Sequence, residues 1–220
     1  SPANEQQVLH ECVEQAVLGD KLGFDGVWAV EHHCLTQYAH MSAPETFLAF
    51  VAGKTTNVRI GHGVVCLPFK MNHPIKVAER VAMLDVLSNG RVNFGVGKGG
   101  TETEAGAFDV EIAEIDAQLE TSFRMIPEMW ASDVYSFENE LIRVPERSIH
   151  PKPMQTPHPP LFLACTREAT LNQAGEWGVG ALCLGFGGPD DVAQKNKVYR
   201  EAIKRRTPET QVGAVATDRL

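Results

Sequence analysis

Two hydrophobic periods alternate along the chain. Val8, Leu9, Cys12, Val13, Ala16, Val17 and Leu22 recur at helical spacing, and Gly23 closes that helix before an apolar run over residues 24–30 that reads as a strand. Pro44 opens a second helix to about residue 55, and residues 58–65 read as one buried strand. Pro74 marks the first turn of a helix over residues 75–87, Asn89-Gly90 ends it, and residues 91–96 form the next strand. Residues 101–106 read as loop and residues 112–130 as a longer helix. A polar excursion at about 134–145 reads as an inserted hairpin, and prolines at 151, 153, 157, 159 and 160 force an extended segment after it. A strand at 161–164, a helix at 167–177, a strand at 179–184, a helix at 189–204 and a last strand at 211–216 complete the pattern.

Strand-helix units with apolar, β-branched strands indicate an α/β protein with a parallel sheet, and their regular order favours a closed (β/α)8 barrel over a doubly wound sheet. A full barrel has eight strands. The expectation is therefore one barrel domain over residues 1–220, incomplete at both ends: it lacks the first strand and everything beyond the seventh.

With 43% hydrophobic and 22% charged residues, the chain has the composition of a protein with a sizeable core. A net charge of −8 leaves no basic stripe for nucleic acid, although a few N–H groups and one cation suffice for a compact phosphate. No apolar run is long enough for a membrane helix, and the polar opening Ser1-Pro2-Ala3-Asn4-Glu5-Gln6-Gln7 is not a signal peptide, so a cytoplasmic setting is expected. The five cysteines are odd in number and scattered, which fits reduced thiols; Cys66 and Cys183, in apolar runs, read as core packing.

Gly95-Val96-Gly97-Lys98-Gly99-Gly100 matches a dinucleotide-binding fingerprint, but the loop expected after it and the lack of a second strand ending in an acidic residue argue against that fold. A glycine turn at the end of a barrel strand, with Lys98 among open N–H groups, is still a place for an anion. Glu31-His32-His33 falls at a strand end, where barrel enzymes hold their chemistry. Neighbours on an extended segment point opposite ways, so one histidine faces the mouth and no metal site is expected. Trp28, Trp130 and Trp177 read as core, and the acidic run 102–114 as a solvated face. Val77, Ala78, Val81, Ala82, Leu84 and Leu87 make an apolar face wider than one stripe needs, which points to a dimer through helices 44–55 and 75–87.

Several segments together resemble the bacterial luciferase family of flavin monooxygenases. They are Gly23-Phe24-Asp25-Gly26-Val27-Trp28 running into Glu31-His32-His33, Arg59-Ile60-Gly61-His62-Gly63-Val64, and Asn72-His73-Pro74-Ile75-Lys76-Val77-Ala78-Glu79-Arg80. Further on come Leu84-Asp85-Val86-Leu87-Ser88-Asn89-Gly90-Arg91, Phe94-Gly95-Val96-Gly97-Lys98-Gly99 and Pro157-His158-Pro159-Pro160-Leu161. The resemblance implies a (β/α)8 barrel with flavin across the C-terminal strand ends. It also implies FMNH2 from a separate NAD(P)H:flavin reductase, O2 as co-substrate and a small organic substrate.

The Glu-His-His form resembles the FMN branch rather than the deazaflavin branch. By the same matching His32 lies beside the flavin ring as the candidate acid/base, a role that suits an imidazole. The FMN phosphate falls near Lys98, the strand end Ala164-Cys165 and the loop Thr166-Arg167-Glu168-Ala169-Thr170 at a helix N-terminus. Gly63 and Val64 match the segment that packs below the isoalloxazine, often through a cis non-proline peptide. Gly97 stands where luciferase itself has a cysteine, so light emission does not carry over with the rest. Two other readings stay open: a deazaflavin (F420)-dependent oxidoreductase on the same barrel, and a flavin-binding barrel without catalysis.

Overall fold

The computed structural model describes residues 1–99 and 101–220; the last glycine of the 95–100 motif lies outside them. In chain order the elements begin α1 (Pro2–Leu22), β1 (Gly26–Ala29), α2 (Pro44–Ala52), β2 (Arg59–His62), β3 (Val65–Cys66), α3 (Pro74–Leu87) and β4 (Val92–Gly97). They continue α4 (Glu102–Ala107), a 3-10 turn (Ile112–Glu114), α5 (Ile115–Ala131), β5 (Tyr135–Glu138), β6 (Arg143–Arg147), β7 (Leu161–Cys165), α6 (Glu168–Trp177), β8 (Gly180–Cys183) and α7 (Gly188–Ile203). Helix starts and stops follow local chemistry: α2 and α3 carry proline in their first turn, and α1 ends on left-handed Gly23 at φ 80°.

The parallel strands β1-β2-β4-β7-β8, with β3 also paired to β4, form one six-stranded sheet with its helices, part of a TIM-type barrel. β5 and β6 form the expected hairpin apart from it.

Side chains alternate across each strand, so the sheet has two faces. One face presents Ala29, Ile60, Val92, Phe94, Val96, Leu161, Leu163 and Ala181 to the helices, and these join Leu48, Val51, Val77, Val81, Phe123 and Ile126 in the buried core. Phe94 is fully enclosed, edge-on to Trp130 at 5.6 Å and Phe123 at 6.2 Å. Burying each such side chain contributes roughly 1.5–3 kcal/mol. Trp130 also satisfies its indole N–H on the Ala78 carbonyl at 3.0 Å.

The opposite face is built on glycine. The Trp28 ring lies over Gly61, Phe162 lies over Gly180, and the two rings meet edge to face at 5.0 Å. The strand expected over 58–65 is two strands, interrupted at Gly63-Val64, whose peptide bond is cis. That interruption sits on β4: a Cβ at Gly95 would lie 2.1 Å from the His62 carbonyl oxygen, and one at Gly97 would lie 2.5 Å from Val64 Cγ2. Glycine is the residue that fits at both.

Four further expectations change. Trp28, read as core, belongs to the glycine face and is 40% exposed. Residues 101–106 are not loop: Thr101 caps α4 by accepting the Glu104 N–H at 3.2 Å. Residues 211–216 form no strand; Gly213 turns at φ 76°, and the segment is tied down by separate bonds from Val212 to the Trp177 carbonyl and from Thr217 to the Gly178 carbonyl. On α3, Val77, Ala78, Val81, Ala82 and Leu84 are buried in the chain's own core, which accounts for the wide apolar face; the exposed apolar side chains on α2 and α3 are Phe50, Met83, Val86 and Leu87.

Candidate active site

Parallel strands bring their C-terminal ends to one edge of the sheet, and the candidate residues gather there. β1 stops at Ala29, so the extended geometry that would turn His32 and His33 to opposite sides does not reach them. Each histidine instead takes its orientation from a carboxylate, and the two side chains are similarly exposed, 16% and 17%.

His32 Nδ1 lies 3.1 Å from Glu104 Oε1, and the same oxygen accepts the His33 backbone N–H at 2.8 Å. Glu104 Oε2 accepts the Thr101 hydroxyl at 2.9 Å. Burial pushes the Glu104 carboxyl up, but the His33 N–H, the Thr101 hydroxyl and the His32 imidazole together hold it below the ordinary glutamate value. With Glu104 ionised, the hydrogen-bond network assigns the His32 proton to Nδ1, leaving Nε2 free to take or give a proton.

His33 Nε2 lies 2.9 Å from Glu31 Oε1. Glu31 is buried and committed on both oxygens: Oε2 accepts the Cys66 N–H at 2.7 Å and Oε1 the Asn72 amide at 2.8 Å. Arg80 donates to Asn72 Oδ1 at 2.6 Å and pairs with Glu45. Through this chain Glu31 ties the end of β1 to β3, just past the Gly63-Val64 interruption.

Two clefts meet at the His32–Glu104 pair. Glu104 lines one, together with Lys98, Gly99, Thr101, Met71, Asp116 and Arg167, which brings the two cations singled out in the sequence to one place. Lys98 pairs there with Asp116. His32 lines the other, a largely apolar cleft with Val8, Leu9, Val30, Leu35, Tyr38 and Met41; its ring meets Tyr38 edge-on at 5.1 Å. Val64, Gly97 and Ala164 also converge, because a Cβ at Gly97 would touch Ala164 Cβ at 3.4 Å as well as Val64.

Thr166 and Arg167 are exposed on the loop after β7. Thr170 is buried, and its hydroxyl donates to the Arg167 carbonyl at 2.8 Å, fixing the first turn of α6. Cys165 points into the helix layer, with its thiol 3.3 Å from the Thr170 carbonyl oxygen.

The family model for luciferase-like monooxygenases matches residues 1–217. The chain belongs to the luciferase-like monooxygenase family. It is 33% identical over 167 residues to the oxygenase component of the flavin-dependent trigonelline monooxygenase of Acinetobacter baylyi, covering 73% of this chain and 44% of that protein. It is also 32% identical over 184 residues to the F420-dependent glucose-6-phosphate dehydrogenase of Amycolatopsis mediterranei, covering 81% of this chain and 54% of that one. Among solved structures, the monooxygenase RslO1 from Streptomyces bottropensis superposes with a TM-score of 0.83 at 31% identity, covering 94% of this chain and 64% of that chain. The luciferase-like chain thus spans about half the length of these two sequence relatives.

A flavin-type cofactor bearing a phosphate fits what this luciferase-like chain offers. Gly97 lets the end of β4 pack closely on Val64 and Ala164, where a Cβ would not fit, and Lys98 and Arg167 supply cations at the cleft beside it. Sequence reasoning missed Glu104 by taking the whole 102–114 run as a solvated face; Glu102, Glu111 and Glu114 are exposed, whereas Glu104 is buried. The signal was present: Thr101-Glu102-Thr103-Glu104 has the spacing of a capping box, which marks a helix start and turns its glutamate back toward the cap.

Proposed function

We propose that the chain carries the flavin site of an FMNH2-dependent monooxygenase, which uses O2 to oxidise a small organic substrate and receives reduced flavin from a separate NAD(P)H:flavin reductase. The observation that carries this reading is the placement of the His32–Glu104 pair between a cleft holding Lys98 and Arg167 and an apolar cleft. Lys98, Arg167 and the Thr166 to Thr170 loop would bind the phosphate, while Gly63, Val64, Gly97 and Ala164 would support the ring. Bound reduced flavin supplies the electrons that activate O2. His32 holds or moves a proton at Nε2, and Glu104 fixes the ring that does so. Val30, Leu35, Tyr38 and Met41 line the cleft beside it with apolar surface, which favours an uncharged substrate.

Anaerobic titration should give saturable FMN binding with FAD much weaker, and oxygen from 18O2 should appear in the product formed from a panel of small uncharged substrates. The F420-dependent reading is favoured by the 32% identity to the Amycolatopsis enzyme. Tight deazaflavin binding with hydride transfer and no oxygen incorporation would establish it in place of the first. A cytoplasmic setting and a single barrel domain belong to the same reading. So does a homodimer, which would use Phe50, Met83, Val86 and Leu87, the apolar side chains that α2 and α3 leave exposed.

A further inference from the structure

β7 and β8 run in parallel with Cys165 directly opposite Cys183 in the register. In-register neighbours share a face of the sheet, on strands about 4.8 Å apart, inside the Cα window of roughly 4.4–6.8 Å that a disulfide spans. Both cysteines are free; Cys165 is buried and Cys183 partly accessible. Cys12, Cys34 and Cys66 lie elsewhere, on α1, in the loop after β1 and on β3.

We propose that Cys165 and Cys183 form a dithiol modification site, closed to a disulfide by hydrogen peroxide, whose closure loosens the turn that carries Arg167. The partly accessible Cys183 is the attacking thiol. Hydrogen bonding with Cys165 and the charge of Lys195 hold it below the ordinary cysteine value, against burial and Asp191, while Cys165 is pushed up by the same pairing and by burial. Lys195 is fixed there by the Leu184 carbonyl at 2.8 Å and Asp191 at 2.5 Å.

The Cys183 thiolate attacks one oxygen of the peroxide, an S–O bond forms as O–O breaks, and the departing hydroxide takes a proton to become water. The Cys165 sulfur then attacks Cys183, S–S forms as S–O breaks, and the second oxygen leaves as water with the Cys165 proton. Two thiols are oxidised and one peroxide is reduced to two waters.

Closure has a reach beyond the two sulfurs. The Cys165 thiol is now placed on the Leu163 and Thr170 carbonyls, each at 3.3 Å, and the Thr170 hydroxyl in turn holds Arg167. A disulfide removes that donor from the first turn of α6. Its Cβ atoms must also approach to about 3.8 Å, closer than the strand spacing, so the bond is strained and readily reduced. The link to flavin, and the flavin site as the source of peroxide when reduced flavin meets O2 without substrate, rest on the proposed function.

Peroxide-treated whole chain, mapped by mass spectrometry without reductant, should yield a linked Cys165–Cys183 peptide about 2 Da lighter than the two thiol peptides together. Dithiothreitol should reverse it, and Cys183→Ser and Cys165→Ala should each abolish it. FMN affinity should fall about tenfold on closure, the scale of one hydrogen bond lost, and return on reduction. Cys183 oxidised to sulfinic acid with Cys165 still alkylatable would overturn the proposal. So would a linked peptide with unchanged affinity in a chain that binds FMN when reduced. Failure to bind FMN in either state overturns the flavin reading instead, and the linked peptide still decides the dithiol.

Discussion

The two faces of the sheet follow the same alternation and end in opposite conditions. On the helix side the strand side chains from Ile60 to Ala181 join those of α2, α3, α5 and α6 in one apolar core, with His62 buried among them. On the other side Gly61, Gly95, Gly97 and Gly180 offer no side chain, and the space is taken by Trp28, Phe162 and a piece of backbone. Stability is concentrated on the first face. The second is closed by rings and backbone instead of helices, and the clefts at His32 and Glu104 open beyond the C-terminal edge of the sheet.

The strongest way to separate the two is at the histidines. His32→Ala should lower substrate oxidation by roughly 10²–10⁴-fold, the range for losing a positioned proton-transfer group, with FMN binding nearly unchanged. His33→Ala should act mainly on melting temperature, because His33 belongs to the buried Glu31–Asn72–Arg80 chain. Steady-state rates and thermal melts on both variants check this. If the effects were exchanged, His33 would be the proton carrier.

Acid tests the helix face. His62 is buried with Nδ1 unpartnered, and burial lowers its pKa from 6.5 to about 4. The unfolded chain therefore binds a proton more readily than the folded one. Stability from this group is fully present above pH 6.5 and is lost as pH falls toward 4. At about 1.4 kcal/mol per pH unit the loss is of the order of 3 kcal/mol. Glu104 and His158, both held below their ordinary values, act in the same direction. Urea melts between pH 7.5 and 4.5 should show the decline, and His62→Leu should flatten it; an unchanged slope in that variant would assign the loss elsewhere.

Arg167→Ala should cost about 1–3 kcal/mol of FMN binding and leave the melting temperature of the free chain where it was, since Arg167 is exposed and sits on the loop rather than in the core. Fluorescence titration of FMN measures it. A drop in stability of the same size would mean that the loop belongs to the scaffold.

The elements were legible because they depend on local periodicity: α1, α3, β4, β7 and α6 lie within a few residues of where apolar spacing, proline and glycine put them. The last strand failed because residues 211–217 are held by single bonds to the carbonyls of Trp177 and Gly178 and by the His158 ring on the Ala214 N–H, contacts no pattern in 211–216 encodes. Glu104 failed for the related reason that its partners stand 71 and 72 residues away. Composition can say that a glutamate is surrounded by acidic neighbours, but not that a helix turn carries it under a histidine. The face of α3 misled in the opposite sense, since periodicity counts apolar positions without knowing how much sheet and neighbouring helix there is to cover them.

The glycine face also limits how this protein can be made sturdier. Replacing glycine with alanine usually stabilises by restricting the unfolded chain, provided that the folded backbone and its surroundings accept a methyl group. At Gly95 and Gly97 that route is closed, because the methyl would strike the His62 carbonyl or the Val64 side chain. Gly106, exposed on α4 with nothing within 4 Å, is open. Gly106→Ala should raise stability by about 0.5–1 kcal/mol, read as a shift in the urea midpoint, and leave flavin affinity alone. The conformational freedom lost to glycine on the sheet is the standing cost of packing rings and backbone directly on the strands, and it has to be recovered elsewhere in the chain.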